Sequence, residues 1–499
     1  MARTAIVIGG GIGGMFCGAL LAREGLRVIV LEKNDIIGGG LQSFTRRGQT
    51  FDTGMHVACG LHSEGSVWRV CQHLGIADKL NIRHLNSNAT DRIHFVNEGK
   101  SYEIACGVGG FVDSLSRYFP SERMGLQAYA KACLDITAEM DLFNLRDSVG
   151  LQSFAHPDAT IPADKLIEKY IADNRLRSLL AYICPRYGAR RGKTPAYVHA
   201  TLMTLYLQGG SRFVGGTVRL AEALSDVIGK SGGEVLTSHE VCHIDTQNKH
   251  VESVSTTDGR TFTADYYVGA ADTAHIVSMV SHGGLTKAFC QRVQNMEQTY
   301  SAFTIFISLR DGFLRYEDTQ EQFVSSADKV WCFGNEDEQE WPTGLMMSML
   351  PDDNQGLWAR RVVLTAPMSY DMVSRFAANG RGKRQQGYAE WKKTCAERAI
   401  EMVERVHKGF ASAIENLQTA SPLTISDYYG NAVGSLYGRA VDTTDLMSTM
   451  LNVHTKIDNL FLTGQNINLH GLCGCVLTAI ETAEAIVGAN TIRRKIRQL

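Results

Sequence analysis

The chain has no apolar run as long as a membrane span, no paired-cysteine spacing and no excess of either charge. Its twelve cysteines are scattered through 499 residues. A secreted disulfide scaffold is shorter and denser in cysteine, so reduced thiols in a reducing compartment are expected. A net charge of -2 leaves no global basic field, and nucleic acid is not an expected partner. The single basic run, Arg493-Arg494-Lys495-Ile496-Arg497, reads as the solvated end of a last helix, with a membrane-surface contact as the alternative. The apolar start is broken by glycines, unlike a secretory signal. The expected location is therefore cytoplasmic, with at most peripheral membrane contact. There is no His-Glu-x-x-His and no clustered ligand spacing, so no metal is expected. A Cys-x-x-Cys beside the first helix is also lacking, which argues against a dithiol reductase. There are no repeats and no low-complexity segments.

What is present begins at once. Ala5-Ile6-Val7-Ile8 reads as a strand buried on both faces. Gly9, Gly11 and Gly14 then fill a G-x-G-x-x-G spacing, with Gly10 and Gly13 between them. In that spacing the first glycine permits a tight turn, the second lets backbone approach a pyrophosphate, and the third lets helix pack on strand. Met15 to Glu24 reads as the helix, stopped by Gly25, with Gly18 inside it as a close-packing position. Arg27 to Leu31 is a second strand, ending in Glu32, where an acid accepts hydrogen bonds from a ribose diol. Strand, glycine turn, helix, strand and acid in this order predict dinucleotide binding, with the pyrophosphate at the helix N-terminus.

The unit by itself does not choose between FAD and NAD. Gly38-Gly39-Gly40-Leu41-Gln42-Ser43 and Phe51-Asp52-Thr53-Gly54-Met55-His56 follow. The glycine pair after the acid is similar to the second FAD motif of glutathione-reductase-like flavoproteins. The Phe-Asp-Thr-Gly-x-His string resembles the branch of phytoene desaturases, carotenoid isomerases and retinol saturases. Further matches are Gly232 to Ile244, which includes Val241; Tyr267 to Asp272; Thr424 to Gly430; Gly434 to Gly438; Asn459 to Gln465, which includes Gly464; and Gly471-Leu472-Cys473-Gly474-Cys475 opening a last helix. The closest of them resemble retinol saturase. Members of the family often carry Arg after the glycine pair. Leu41 stands there, so a basic contact is not expected.

The resemblance implies an α/β fold: a glutathione-reductase-like, FAD-binding Rossmann fold, discontinuous over residues 1–80, 215–285 and 440–499. An α+β substrate domain is expected from 81–214 and 286–439. It implies FAD held by Gly9, Gly11, Gly13, Gly14, Glu32, Gly39, Gly40, Val241, Gly464, Gly474 and Cys475. A second strand, turn and helix start at Gly464 to Cys475 adds backbone donors for the ribityl–phosphate arm and the pyrimidine edge of a flavin. Cys473 and Cys475 lack redox-pair spacing and read as small-residue packing. No second G-x-G-x-x-G is present, so NAD(P)H is expected only as a transient electron donor.

In the remainder, 126–141, 163–187 and 388–407 read as helices and 302–309, 344–350 and 362–366 as strands, with 380–383 a mobile loop. Met346, Met347 and Met349 read first as core and second as the wall of an apolar tunnel. Adding two hydrogens across a C=C bond needs an acid beside the flavin. The candidates are His56, His470, Tyr437 and, more weakly, Tyr428. The expected activity is oxidoreduction at C–C or C=C bonds of an apolar polyene or isoprenoid, with no obligate protein partner. Carotenoid desaturation or isomerisation, flavin amine oxidation, and non-catalytic prenyl binding like that of Rab escort proteins are the alternatives.

Overall fold

A computed structural model describes residues 3–148, 155–353, 356–378 and 380–499. Five short strands form one parallel sheet in the order Glu234–Leu236, Arg27–Leu31, Thr4–Ile8, Tyr266–Gly269, Leu460–Leu462. The chain crosses from one side of Thr4–Ile8 to the other, so a topological switch point lies beyond the carboxyl ends of the central strands, where open α/β sheets bind ligands. Ile6 and Val7 are fully buried, as a strand covered on both faces requires. Helix Ile12–Arg23 buries every residue from Gly13 to Ala22. A Cβ on Gly18 would meet Ile228 Cδ1 at 3.2 Å and Val28 and Val30 at 3.4 Å, so this glycine sets the helix–sheet spacing.

A second sheet has seven strands, in the order Ile414–Ala420, Ser301–Leu309, Arg361–Met368, Gly344–Met349, Gln320–Val324, Asp91–Phe95, Lys100–Ile104. All neighbours are antiparallel except Gln320–Val324 with Asp91–Phe95. Alternation along its strands assigns the faces. Phe303, Ile305, Leu345, Met347, Met349 and Leu364 pack with helix Tyr388–Glu404 into a core. Thr304, Phe306, Met346, Ser348 and Thr365 face a large cavity. The three methionines thus divide by the period of two: Met347 and Met349 are core, and Met346 is cavity wall.

The helix expected over 163–187 is corrected to three pieces: Ala163–Tyr170, Asn174–Leu180 and a 3-10 stretch Ala181–Arg186. Asp173 starts a new helix by accepting from the Leu176 N–H, and the last piece carries Pro185 inside it and ends at Arg186. The breaks carry Arg186 to the cavity. In the loop expected to be mobile, Asp427 accepts from the Gly382 N–H and from Arg384. The basic tail forms a last helix, as expected, except that Arg493 is buried rather than solvated. Helix Thr491–Arg497 pairs Arg493 with buried Glu484, Arg494 and Arg497 with Asp147, and Lys495 with Glu24, so the chain's own acids take up its charges. No helix among the described residues is long and apolar enough to cross a membrane.

On the sheet face away from the cavity, Glu321 is 1% exposed and accepts from His94 Nε2 at 3.0 Å and His407 Nε2 at 2.7 Å. These three residue types could not be associated from the sequence, being far apart along it. Burial alone would raise the Glu321 pKa, but the hydrogen bonds from His407 and His94 outweigh it and hold it at about 2. Against an ordinary value of 4.5, that depression corresponds to ~3 kcal/mol of stability. This contribution is complete above the unfolded-state pKa and is lost as pH falls from about 4.5 to about 2. Glu321→Gln is expected to destabilise the protein at neutral pH by a few kcal/mol. It should also flatten the acid limb of unfolding followed by circular dichroism. An unchanged acid limb would show that Glu321 is not a titrating anchor of this sheet.

Candidate active site

The switch point opens into a cavity of about 960 Å³, at the upper end of the range for ligand pockets. Its floor is the first glycine turn. Gly9, at φ +113°, donates to Leu31 O at 2.8 Å. The Glu32 carboxylate is 5% exposed and accepts from the Gly10 N–H at 2.7 Å and the Asn34 N–H at 2.8 Å. It therefore shapes the turn while still facing the cavity. Gly38 donates to Gly10 O at 2.8 Å, and a Cβ on Gly39 would lie 3.1 Å from Gly11 Cα, so the second glycine motif docks directly on the first.

Gly11 caps helix Ile12–Arg23 with no side-chain cap, leaving its first N–H groups free. A Cβ on Gly11 would touch no protein atom within 4 Å, yet the residue lines the cavity. Protein packing does not explain that glycine; room for a ligand backbone does. Helix Gly471–Val487 repeats the arrangement. It follows strand Leu460–Leu462 and the turn at Gly464 (φ +99°), starts at His470 with no side-chain cap, and presents Gly471, Leu472 and Cys473 to the same cavity. A Cβ on Gly13 would sit 2.8 Å from Gly464 Cα, so the two turns touch. Two uncapped helix N-termini on one cavity fit the two anionic and electron-rich parts of a flavin dinucleotide, each stabilising nearby negative charge by about 0.3–1 kcal/mol.

Gly9, Gly11, Gly13, Glu32, Gly39, Gly40, Val241, Gly464 and Cys475 all line the cavity, as do His56, Tyr437, His470 and Tyr428. Gly14 and Gly474 are not among its lining residues, and packing accounts for both. A Cβ on Gly14 would lie 2.0 Å from Gly9 O, and one on Gly474 2.1 Å from Leu469 O. Both are glycines because backbone crosses there. Leu41 is fully buried.

The inner end of the cavity is neutral. Burial pushes His56 and His470 down to about 4, leaving both uncharged at pH 7. Among the described residues their Nδ1 atoms have no hydrogen-bond partner. Tyr437, with its ring centroid 6.4 Å from that of His470, is raised by burial and pulled partly back by Arg186. Burial raises Cys473 to about 11 and Cys475 to about 12, so both are thiols rather than thiolates. The lining carboxylates, Glu32, Asp35, Glu240 and Asp272, belong to the nucleotide end. Sequence reasoning missed Arg186, Tyr206 and Tyr429. Tyr429 presses its hydroxyl where a Cβ on Gly54 or Gly40 would stand, at 2.4 and 2.9 Å. Tyr429 lies within the matched stretch Thr424 to Gly430 but was not singled out there, and no motif marks Arg186 or Tyr206, which the fold brings to the cavity.

Comparison with known proteins identifies the family and the fold. The family model described as flavin containing amine oxidoreductase matches residues 12–487. Human all-trans-retinol 13,14-reductase is 26% identical over 97% of this chain and 85% of its own length. Prolycopene isomerase 2 of an Oncidium hybrid cultivar is 27% identical over 62% of this chain and 54% of its own. Among solved structures, wild-type putrescine oxidase bound to putrescine superposes with a TM-score of 0.66 at 15% identity, covering 98% of this chain and 99% of that one, which supports the fold. With the dinucleotide cradle, the double helix start and a family match over nearly its whole length, the chain is an FAD-dependent oxidoreductase and belongs to the flavin-containing amine oxidoreductase family.

Proposed function

We propose that this enzyme saturates a C=C bond of an isoprenoid polyene, in the manner of a retinol saturase, with FAD held noncovalently and NAD(P)H as a transient electron donor. The observation that carries the reading is the neutral inner end of the cavity. No lining carboxylate lies there to pair with a substrate ammonium, and the face of Tyr206 that an amine would use is covered by the Arg186 guanidinium at 4.3 Å. Arg186 is already paired with buried Asp91, so a substrate ammonium would enter this end without a carboxylate of its own, at a desolvation cost that nothing there offsets. The similarity to human all-trans-retinol 13,14-reductase from end to end supports the same class.

Bound against Gly9, Gly11, Glu32, Gly39, Gly40 and the two helix starts, a reduced flavin would supply the hydride chemistry for such a bond. The chain's residues do the rest. Leu202, Leu205 and Met346 give the hydrocarbon an apolar wall. The buried walls exclude water from the reacting bond. Tyr437, protonated throughout the neutral range, holds at its Oη the proton that goes to the other carbon. The test is anaerobic single-turnover mixing of pre-reduced enzyme with retinol-like and carotenoid-like polyenes, following flavin reoxidation. Reoxidation with a saturated product is the expected result. Failure of every polyene, together with reduction of the oxidised enzyme by primary or secondary amines, would assign the protein to amine oxidation instead.

A further inference from the structure

Away from the cavity, on the opposite face of the seven-stranded sheet, three metal-ligating side chains converge on one point. His94 Nε2 lies 3.0 Å and His407 Nε2 2.7 Å from the same Glu321 oxygen, Oε2, and the ligand atoms of the three residues lie within 4.8 Å of one another. It is the one such group among the described residues. Rigid elements carry it. His94 and Glu321 stand on paired strands, with Phe323 directly opposite His94. The Phe323 ring centroid is 4.8 Å from that of His94 and 5.9 Å from that of His407, which fixes both imidazoles. His407 follows helix Tyr388–Glu404, and its backbone N–H donates to Val403 O at 2.8 Å. Further groups stand behind the ligands. His94 Nδ1 meets Ser101 Oγ at 2.7 Å, and the second Glu321 oxygen meets Arg92 at 3.4 Å. Arg92 also donates to Glu103 and Glu317, so one guanidinium faces three carboxylates. With both imidazoles neutral, those four side chains carry an excess of two negative charges. The His407 side chain is 21% exposed, which opens the group to solvent on that side.

We propose that His94, Glu321 and His407 bind a divalent transition cation of the zinc class, which ties the end of helix Tyr388–Glu404 to the sheet. Two imidazole nitrogens and one carboxylate oxygen are a zinc donor set, with a fourth position left for water on the exposed side of His407. The imidazoles select against Mg2+ and Ca2+, which take oxygen ligands. Donor atoms around a tetrahedral zinc lie about 3.3 Å apart, from bonds of about 2.0–2.2 Å, so the two contacts to Glu321 need open by only about 0.3–0.6 Å. His407, in the turn after its helix, supplies that movement. Each imidazole then carries its proton on Nδ1 instead of Nε2. Ser101 permits the exchange at His94, because a hydroxyl donates to a bare Nδ1 and accepts from a protonated one. The excess of two negative charges matches the charge of the ion. Without the ion, the same groups form the hydrogen-bonded anchor described above. The three residues are far apart along the chain, so the lack of a ligand spacing in the sequence does not bear on them. The inference is independent of the reaction in the cavity.

The test loads EDTA-stripped holoenzyme by dialysis against Zn2+ with Mg2+ in large excess and counts bound zinc per chain by atomic emission. The wild type is expected to take up one zinc, saturating at or below about 1 μM, and to melt at a higher temperature when loaded. His407→Ala removes the most exposed ligand and leaves the strands untouched. Its zinc affinity should fall by at least about 100-fold and its melting temperature should no longer respond to zinc, with flavin content kept. Ser101→Ala should weaken zinc by about 10- to 100-fold, the usual effect of losing a group that orients a ligand. X-ray absorption at the zinc edge of the loaded wild type reads the donor atoms directly and does not depend on any variant folding. Nitrogen and oxygen bonds at about 2.0–2.2 Å are expected, without sulfur at about 2.3 Å. No uptake by the wild type at 1 μM zinc, about the affinity the proposal requires, overturns the inference. So does equal uptake by His407→Ala, or a sulfur shell, either of which would assign the zinc to the chain's thiols or another site.

Discussion

Tyr437→Phe is expected to slow product formation in single turnover by about 100- to 10,000-fold, the usual worth of a positioned general acid. Flavin content and the rate of flavin reduction should be unchanged, because the substitution removes one oxygen and keeps the ring against His470. The choice among the three candidates follows from their proton affinities. His56 and His470 sit at about 4 because burial disfavours their charged forms. Neither carries a transferable proton at neutral pH. Tyr437 keeps its proton, and Arg186 acts against the burial that would otherwise make it a still weaker acid. The pH profile separates them. A histidine donor would lose activity as pH rises through about 4, whereas a Tyr437 donor gives a rate that is flat from there through neutrality. A full rate in Tyr437→Phe, or a rate falling steadily from pH 4 to 6, would remove Tyr437 from the role.

Glu32→Ala is expected to lower FAD affinity by at least one and up to several orders of magnitude, measured by flavin retention after dialysis and by titration of the apoprotein. A carboxylate facing a ribose diol contributes charge-assisted hydrogen bonds of about 1.5–3 kcal/mol each. The structure adds a second cost. The same carboxylate accepts from the Gly10 and Asn34 N–H groups, so its removal also orphans two donors of the turn that should meet the pyrophosphate. Glu32→Gln keeps one acceptor oxygen and should retain more flavin than Glu32→Ala. Equal retention by wild type and Glu32→Ala would show that the ribose is held elsewhere, and absence of releasable FAD from the wild type would undo the assignment of the cradle.

The nucleotide unit was legible because its signals are local. A strand buried on both faces, three glycines at fixed spacing, a helix and a terminal acid lie within 32 residues, and each is dictated by backbone geometry over a few positions. The same holds for Gly464 to Cys475, where turn and helix start are contiguous. The spacing already read Gly11 as the ligand-approach glycine and Gly14 as the packing one, and the fold supplies the reason. Gly11 is open to the cavity and Gly14 is crossed by the Gly9 carbonyl, a difference set by what lies opposite each missing Cβ.

The reacting end was decided by tertiary structure. Arg186 is the last residue of a 3-10 stretch, Asp91 comes from the start of a strand that pairs with Gln320–Val324, Tyr206 from helix Ala196–Gln208, and Tyr437 from a loop far along the chain. No spacing links them, since each reaches the cavity through the packing of a different element. The proton affinities that select Tyr437 over the histidines come from burial, which no local pattern encodes. The sequence by itself determined the cofactor cradle, because a phosphate turn is a property of consecutive backbone. Only the fold determined the charge and polarity of the substrate end, because these depend on which distant side chains are desolvated together.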